Sequence, residues 1–143
     1  MLPEASEEAG RWLTQAQDDL MTATRLRDIA IHYAACFFAQ QAAEKALKAV
    51  LFARGAARIR GHSVADLCGE AARFDTRFGP MASSLAPLDL YYIPTRYPNG
   101  LPGGVPSAVF KEEDSERAIR LAHLAVETSR DVVVPHALEP QEP

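Results

Sequence analysis

The residues best equipped for chemistry in this chain fall in three places. Gln40, Gln41, Glu44, Lys45 and Lys48 interrupt FFAQQAAEKALKAVLFARG, the stretch from Phe37 to Gly55 that is otherwise the most core-like of the sequence. Arg96 stands in YYIPTRYP, between Tyr92 and Tyr97. His62 opens GHSVADL, just after a small basic stretch of Arg54, Arg58 and Arg60. Glu44 and Lys48 are spaced for an i,i+4 ion pair in the favourable order, and Gln41 and Lys45 share another face. Arg96 offers a planar fork for phosphate or carboxylate, and Tyr92 or Tyr97 could stack on a nucleobase. Plainer readings stand beside these. The polar positions can be a solvated stripe, worth only about 0.2–0.5 kcal/mol per pair. Arg96 can bond loop carbonyls or Glu44 while Tyr97 seals the core. His62 can donate to a backbone carbonyl and position the turn after Gly61, a structural role that outweighs catalysis here. The three arginines can meet phosphates, meet an acidic partner, or be merely solvated. Crowding argues against a wholly solvated stripe: Phe37, Phe38, Leu47 and Leu51 leave this segment little free surface. Some of the polar groups must then face a cleft or a partner chain, and buried polar groups need partners. The pattern predicts a hydrogen-bonded network.

Composition narrows the classes. A chain of 143 residues favours one domain with a sizeable core of its own. Its formal net charge is -4 and it has no long basic run, which argues against duplex DNA, whose affinity comes mostly from neutralised phosphates. A local basic site stays open. Cys36 and Cys68 sit in apolar, helix-like surroundings and read as buried reduced thiols. Their separation fits no zinc pattern, and His32, His62, His123 and His136 do not cluster, so no metal and no cofactor is expected. MLPEASEEAGRW lacks the apolar core of a signal peptide, and no stretch approaches the ~20 apolar residues of a membrane span. These features predict a soluble, cytoplasmic protein that does not enter membranes.

The elements that must position these residues are all helical. EASEEAGRWLTQAQDDLMTATRLRD is a first helix, with Trp12, Ala16, Leu20 and Ala23 as its apolar stripe and Asp18, Asp19 and Arg25 placed off it. Residues 31–54 form a second helix stopped by Gly55, apolar on two sides and therefore central. Ser63 caps a third, with Asp66 completing an approximate capping box and Val64, Leu67, Cys68, Ala71 and Phe74 on its buried side. A short helix is predicted over 81–92. The prolines and glycines from Pro94 to Pro106 then exclude regular structure. A last helix follows from KEEDSERA, with Ala118, Ile119, Ala122, Ala125, Val126 and Val133 as its stripe. The result is an all-α, up-and-down bundle of four to five helices. One domain is expected over 1–134, with a flexible polar tail over 135–143.

Several segments together resemble one family. ACFFAQQAAEKALKAVLFARG is similar to the second helix of HEPN domains, whose name refers to nucleotide binding in higher eukaryotes and prokaryotes. WLTQAQDDLMTATRL, with Trp12 near its start, resembles the family's first helix; GHSVADL resembles its entry into helix three; YYIPTRYP resembles its Tyr-x-x-x-Arg-Tyr-Pro segment; and EEDSERAIRLA resembles the start of its last helix. The resemblance implies a bundle that forms homodimers and binds a nucleotide or RNA. It also implies a nucleotidyltransferase partner in a toxin–antitoxin-like pair. It brings Arg96, Tyr97 and Tyr92 beside helix two, where Gln40, Gln41, Glu44, Lys45 and Lys48 would line one anionic-ligand cleft. Ribonuclease members carry an Arg followed a few residues later by a His, completed by a dimer-related copy. Arg117 and His123, with five residues between them, fit that spacing, but Ala118 stands where a polar residue usually follows the Arg. Six positions on a helix also set the two roughly 120° apart. In a metal-independent RNA endonuclease, His123 would be the general acid or base and Arg117 would stabilise the phosphorane. A nucleotide-binding module is the favoured reading. The ribonuclease and a purely structural dimerisation domain are the alternatives.

Overall fold

The computed structural model describes residues 3–134. The expected tail of residues 135–143 lies outside the described residues. Six helices succeed one another: α1 (Pro3–Asp28), α2 (His32–Ala53), α3 (Val64–Ala71), α4 (Phe78–Leu85), α5 (Pro106–Val109) and α6 (Glu112–Val133). Short 3₁₀ turns lie at Ala86–Tyr91 and Pro98–Gly100. There is no strand among the described residues, and the architecture is the all-α bundle expected.

α2 is the centre because it is apolar nearly all round. Ala35, Ala39, Ala42, Ala43, Ala46 and Ala49 are fully buried, which lets α1 and α6 lie close against it. α3, α5 and the Ala86–Tyr91 turn cover what remains of α2, and α4 packs on α3. The helix ends at Ala53, and the chain turns away at Gly55, whose φ of +97° is the left-handed conformation glycine adopts most cheaply. There the Ala56 N–H reaches back to the Leu51 carbonyl at 3.0 Å. The α1–α2 turn uses the same device without glycine: Ala30 has φ +62° while Ile31 N–H bonds the Leu26 carbonyl at 2.8 Å.

Four expectations need correction. Asp19 is not off the stripe of α1 but buried within it, because Lys45 of α2 reaches it. Phe74 is 49 % exposed, since α3 stops at Ala71 and the chain turns before Phe74 can face the core. The short helix begins at Phe78 rather than at 81, and tightens to 3₁₀ from Ala86, next to Pro87, which has no N–H for an α-helical bond. The stretch from Pro94 to Pro106 is not wholly irregular: it contains the Pro98–Gly100 turn, and Pro106 itself opens α5 at its first position.

Ser63 caps α3 as expected, its hydroxyl accepting from the Asp66 N–H at 3.1 Å. The stronger cap comes from elsewhere. Asp89 accepts from the Val64 N–H at 2.6 Å, from the Ala65 N–H at 3.3 Å and from the Ser63 hydroxyl at 2.8 Å. Cys36 and Cys68 are buried and unpaired, and burial pushes both thiols up to about 12.

Candidate functional site

Phe37, Gln41, Lys45 and Lys48 recur at steps of three and four residues and so share one side of α2. Neighbouring segments supply partners to this side and to Gln40 and Glu44 beside it. From α1, Asp19 receives Lys45 Nζ on one carboxylate oxygen and Gln15 Nε2, at 2.9 Å, on the other. Trp12 of α1 packs on Phe52 with ring centres 5.3 Å apart and planes tilted by 30°, and its Nε1–H donates to Glu8 at 3.0 Å. Lys48 Nζ lies 5.6 Å from the centre of that indole. From the α2–α3 loop, His62 brings Nδ1 to 2.9 Å from Glu44 Oε1. An ionised carboxylate only accepts, so Nδ1 carries the proton.

The His62 backbone carbonyl accepts from Gln40 Nε2 at 3.3 Å. Gln40 Oε1 in turn accepts from Gln41 Nε2 at 2.7 Å, which sets the orientation of both amides. Glu44 therefore serves two donors, the His62 ring on Oε1 and the Lys48 ammonium on Oε2 at 3.8 Å. Gln40, Glu44 and Lys48 are all buried. This is the network that crowding predicted. His62 does not donate to a backbone carbonyl as expected. It donates to Glu44, and it is the carbonyl of His62 that holds the turn to α2.

The last wall comes from Tyr92–Tyr97. The Tyr92 ring stacks on His62 with centres 4.8 Å apart and planes 18° from parallel. The Arg96 guanidinium carbon lies 4.6, 4.8 and 5.2 Å from the ring centres of Tyr92, Phe37 and Tyr97. Arg96 Nε donates to the Tyr92 carbonyl at 2.8 Å. Its terminal nitrogens make no hydrogen bond or ion pair among the described residues. The sequence-derived alternative of an Arg96–Glu44 pair is not the one formed, because Glu44 is already held by His62 and Lys48.

Arg96 and Lys45 do not share one cleft. Arg96 sits over Phe37, and Lys45 lies eight residues further along α2, about 12 Å away. Lys45 instead lines a cleft of about 350 Å³ with Glu8, Arg11, Trp12 and Gln15. Arg117 and His123 are both exposed on α6. His123 pairs with Glu127 at 3.0 Å and lines an α1–α6 groove of about 540 Å³ with Met21, Arg25 and Arg130; Arg117 does not line it. No group of three or more His, Cys, Asp and Glu suited to a metal occurs among the described residues, and no described helix is long and apolar enough to cross a membrane.

Two residues escaped the sequence reading. Asp19 lies three residues after Ala16 and four before Ala23, both fully buried, so the stripe that placed those alanines inside also pointed to Asp19. Asp89 gave no such signal, because its partners lie 24 to 26 residues away.

Comparison with known proteins agrees with this architecture. TT1696 from Thermus thermophilus superposes with a TM-score of 0.76 and 35 % identity, covering 87 % of this chain and 98 % of that one. ST0689, an archaeal HEPN homologue, gives 0.70 and 29 % identity over 88 % of this chain and 98 % of its own. A search of curated proteins finds no match. A family model described as HEPN domain matches residues 9–132. With most of its length matched and the site residues from Trp12 to Tyr97 inside that span, the chain belongs to the HEPN domain family.

Proposed function

We propose that the chain is a dimeric, non-catalytic binding module that holds a nucleotide, or the end of an RNA, by a phosphate at Arg96. One observation carries this reading: a guanidinium set among Tyr92, Phe37 and Tyr97, anchored by Nε, whose terminal donors have no partner among the described residues. Such a group is oriented for bidentate contact with an oxyanion before any ligand arrives. Tyr97, half exposed beside it, suits a base. The Glu44–His62 bond and the His62–Tyr92 stack hold the platform from behind. Lys45, committed to Asp19, belongs to the scaffold of the site.

Calorimetric titration with AMP, GMP and their triphosphates tests the reading. Binding by the wild type should weaken by roughly 1.5–3 kcal/mol in Arg96→Ala, the range for a hydrogen bond to a charged group. No binding of any nucleotide, or an Arg96→Ala variant that unfolds, returns Arg96 to a purely structural role. A parallel assay on single-stranded RNA without metal should show no cleavage that depends on His123, whose ring is tied to Glu127. Loss of cleavage in His123→Ala would favour the endonuclease instead. The family resemblance extends the proposal to a nucleotidyltransferase partner in a toxin–antitoxin-like pair, which a nucleotidyltransferase reading frame beside the gene would support.

A further inference from the structure

From Leu90 to Phe110 the chain carries one charged residue, Arg96, although 24 % of the whole sequence is charged. Loss of charge with retention of tyrosine and arginine is the composition of interface cores, not of solvated loops. Leu90, Ile93, Tyr97, Val105 and Val109 are five of the ten large apolar side chains that are exposed among the described residues. They are also held in shape. The buried Thr95 hydroxyl donates to the Tyr91 carbonyl, and Tyr91 meets Phe110 edge-on at 5.9 Å. The Pro98–Gly100 turn lies so close that a Cβ on Gly100 would stand 3.0 Å from Pro94 Cα and 3.2 Å from an Ile93 methyl. At the other end a Cβ on Gly104 would stand 3.3 Å from a Val109 methyl. Apolar groups exposed on an ordered face mark an interaction site.

We propose that this face docks a different protein chain, one that presents apolar side chains around a carboxylate that pairs with Arg96. Charge chooses the occupant. The stretch contains no carboxylate, so a second copy meeting it about a twofold axis brings two guanidinium groups together with nothing to receive them. A chain of other sequence supplies the missing acid. Apolar burial then provides the attraction, and the Arg96 fork fixes the register. The docking does not rest on the nucleotide reading. The two share one fork, however, so a phosphate at Arg96 and the partner's carboxylate exclude each other.

A displayed random-peptide library, selected on the immobilised full chain, is the probe. The enriched peptides should carry Asp or Glu among apolar residues. Their binding should fall roughly tenfold or more with Ile93→Glu and with Arg96→Ala, as for an interface hot spot, and should persist with Met21→Glu on α1. If Ile93→Glu fails to fold by circular dichroism, Val105→Glu takes its place. Absence of any enriched peptide, binders indifferent to these changes, or an Ile93→Glu variant that splits a homodimer would overturn the docking. Millimolar ATP should displace the peptides. Peptides that need Arg96 but resist ATP would leave the docking standing and count against nucleotide binding at Arg96.

Discussion

Glu44 is the residue on which the polar contacts of the site converge. Its two oxygens face His62 and Lys48, and its side chain is almost wholly enclosed. A buried ion pair adds little net stability over an apolar pair of the same shape, but removal of one partner strands the other. Glu44→Ala should therefore destabilise the fold by about 3–5 kcal/mol, measured as a fall in the urea midpoint with an unchanged slope. The Glu44→Ala, Lys48→Met double variant should regain part of that loss, since the stranded ammonium is gone. A single variant as stable as the wild type would show that Lys48 reaches water and that the pair is ornamental. Nothing in the spacing of residues 44 and 48 distinguishes this buried pair from an exposed one. The distinction comes from α1 and the His62 loop, which close over it.

At the scale of elements, the helices were legible and their ends were less so. The two apolar rows of α2 and the stop at Gly55 are local signals, and both survive in the structure. The buried position of Asp19 was written in the same periodicity, but the habit of placing aspartate outside overrode it. The cap of α3 shows what local reading cannot reach. Ser63 was legible because a cap and its acceptor sit three residues apart. Asp89 binds two backbone N–H groups and the Ser63 hydroxyl from another element, so no window of sequence contains both sides. This ranking can be measured. Ser63→Ala should cost about 1 kcal/mol, as cap removal usually does. Asp89→Ala should cost more, about 1.5–3 kcal/mol for a charged acceptor, with the loss greatest in amide-exchange protection around Val64 and Ala65. Equal losses would mean that Asp89 is no stronger a cap of α3 than Ser63. The Arg96 platform was legible as a composition, an arginine among tyrosines. That Phe37 would complete it, and that Lys45 would be claimed by Asp19, depended on how α1 and the loop settle on α2.

At the scale of the whole molecule, two surfaces remain without a partner, and they differ in kind. The Leu90–Phe110 stretch is apolar with one cation, the ground on which a chain of other sequence is proposed for it. The α1–α6 groove is mixed: Leu20, Met21, Ile119 and Val126 line it beside Arg25, Arg130 and Glu127. Both signs of charge are present there, so two copies related by a twofold axis can set arginine against glutamate across a shared apolar strip. Met21 and Leu124, exposed on α1 and α6, add apolar area on these helices. The homodimer implied by the family is accordingly expected through this groove. Light scattering at micromolar concentration should give twice the chain mass. Met21→Glu should shift it to monomer, because it puts a hydrated charge in place of apolar contact in the strip, while leaving the helical circular dichroism intact. Ile93→Glu, on the other face, should leave the dimer unchanged. A wild type that is monomeric at this concentration removes the dimer altogether. A dimer indifferent to Met21→Glu but broken by Ile93→Glu would exchange the roles of the two surfaces, and with them the argument that charge selects the occupant of each.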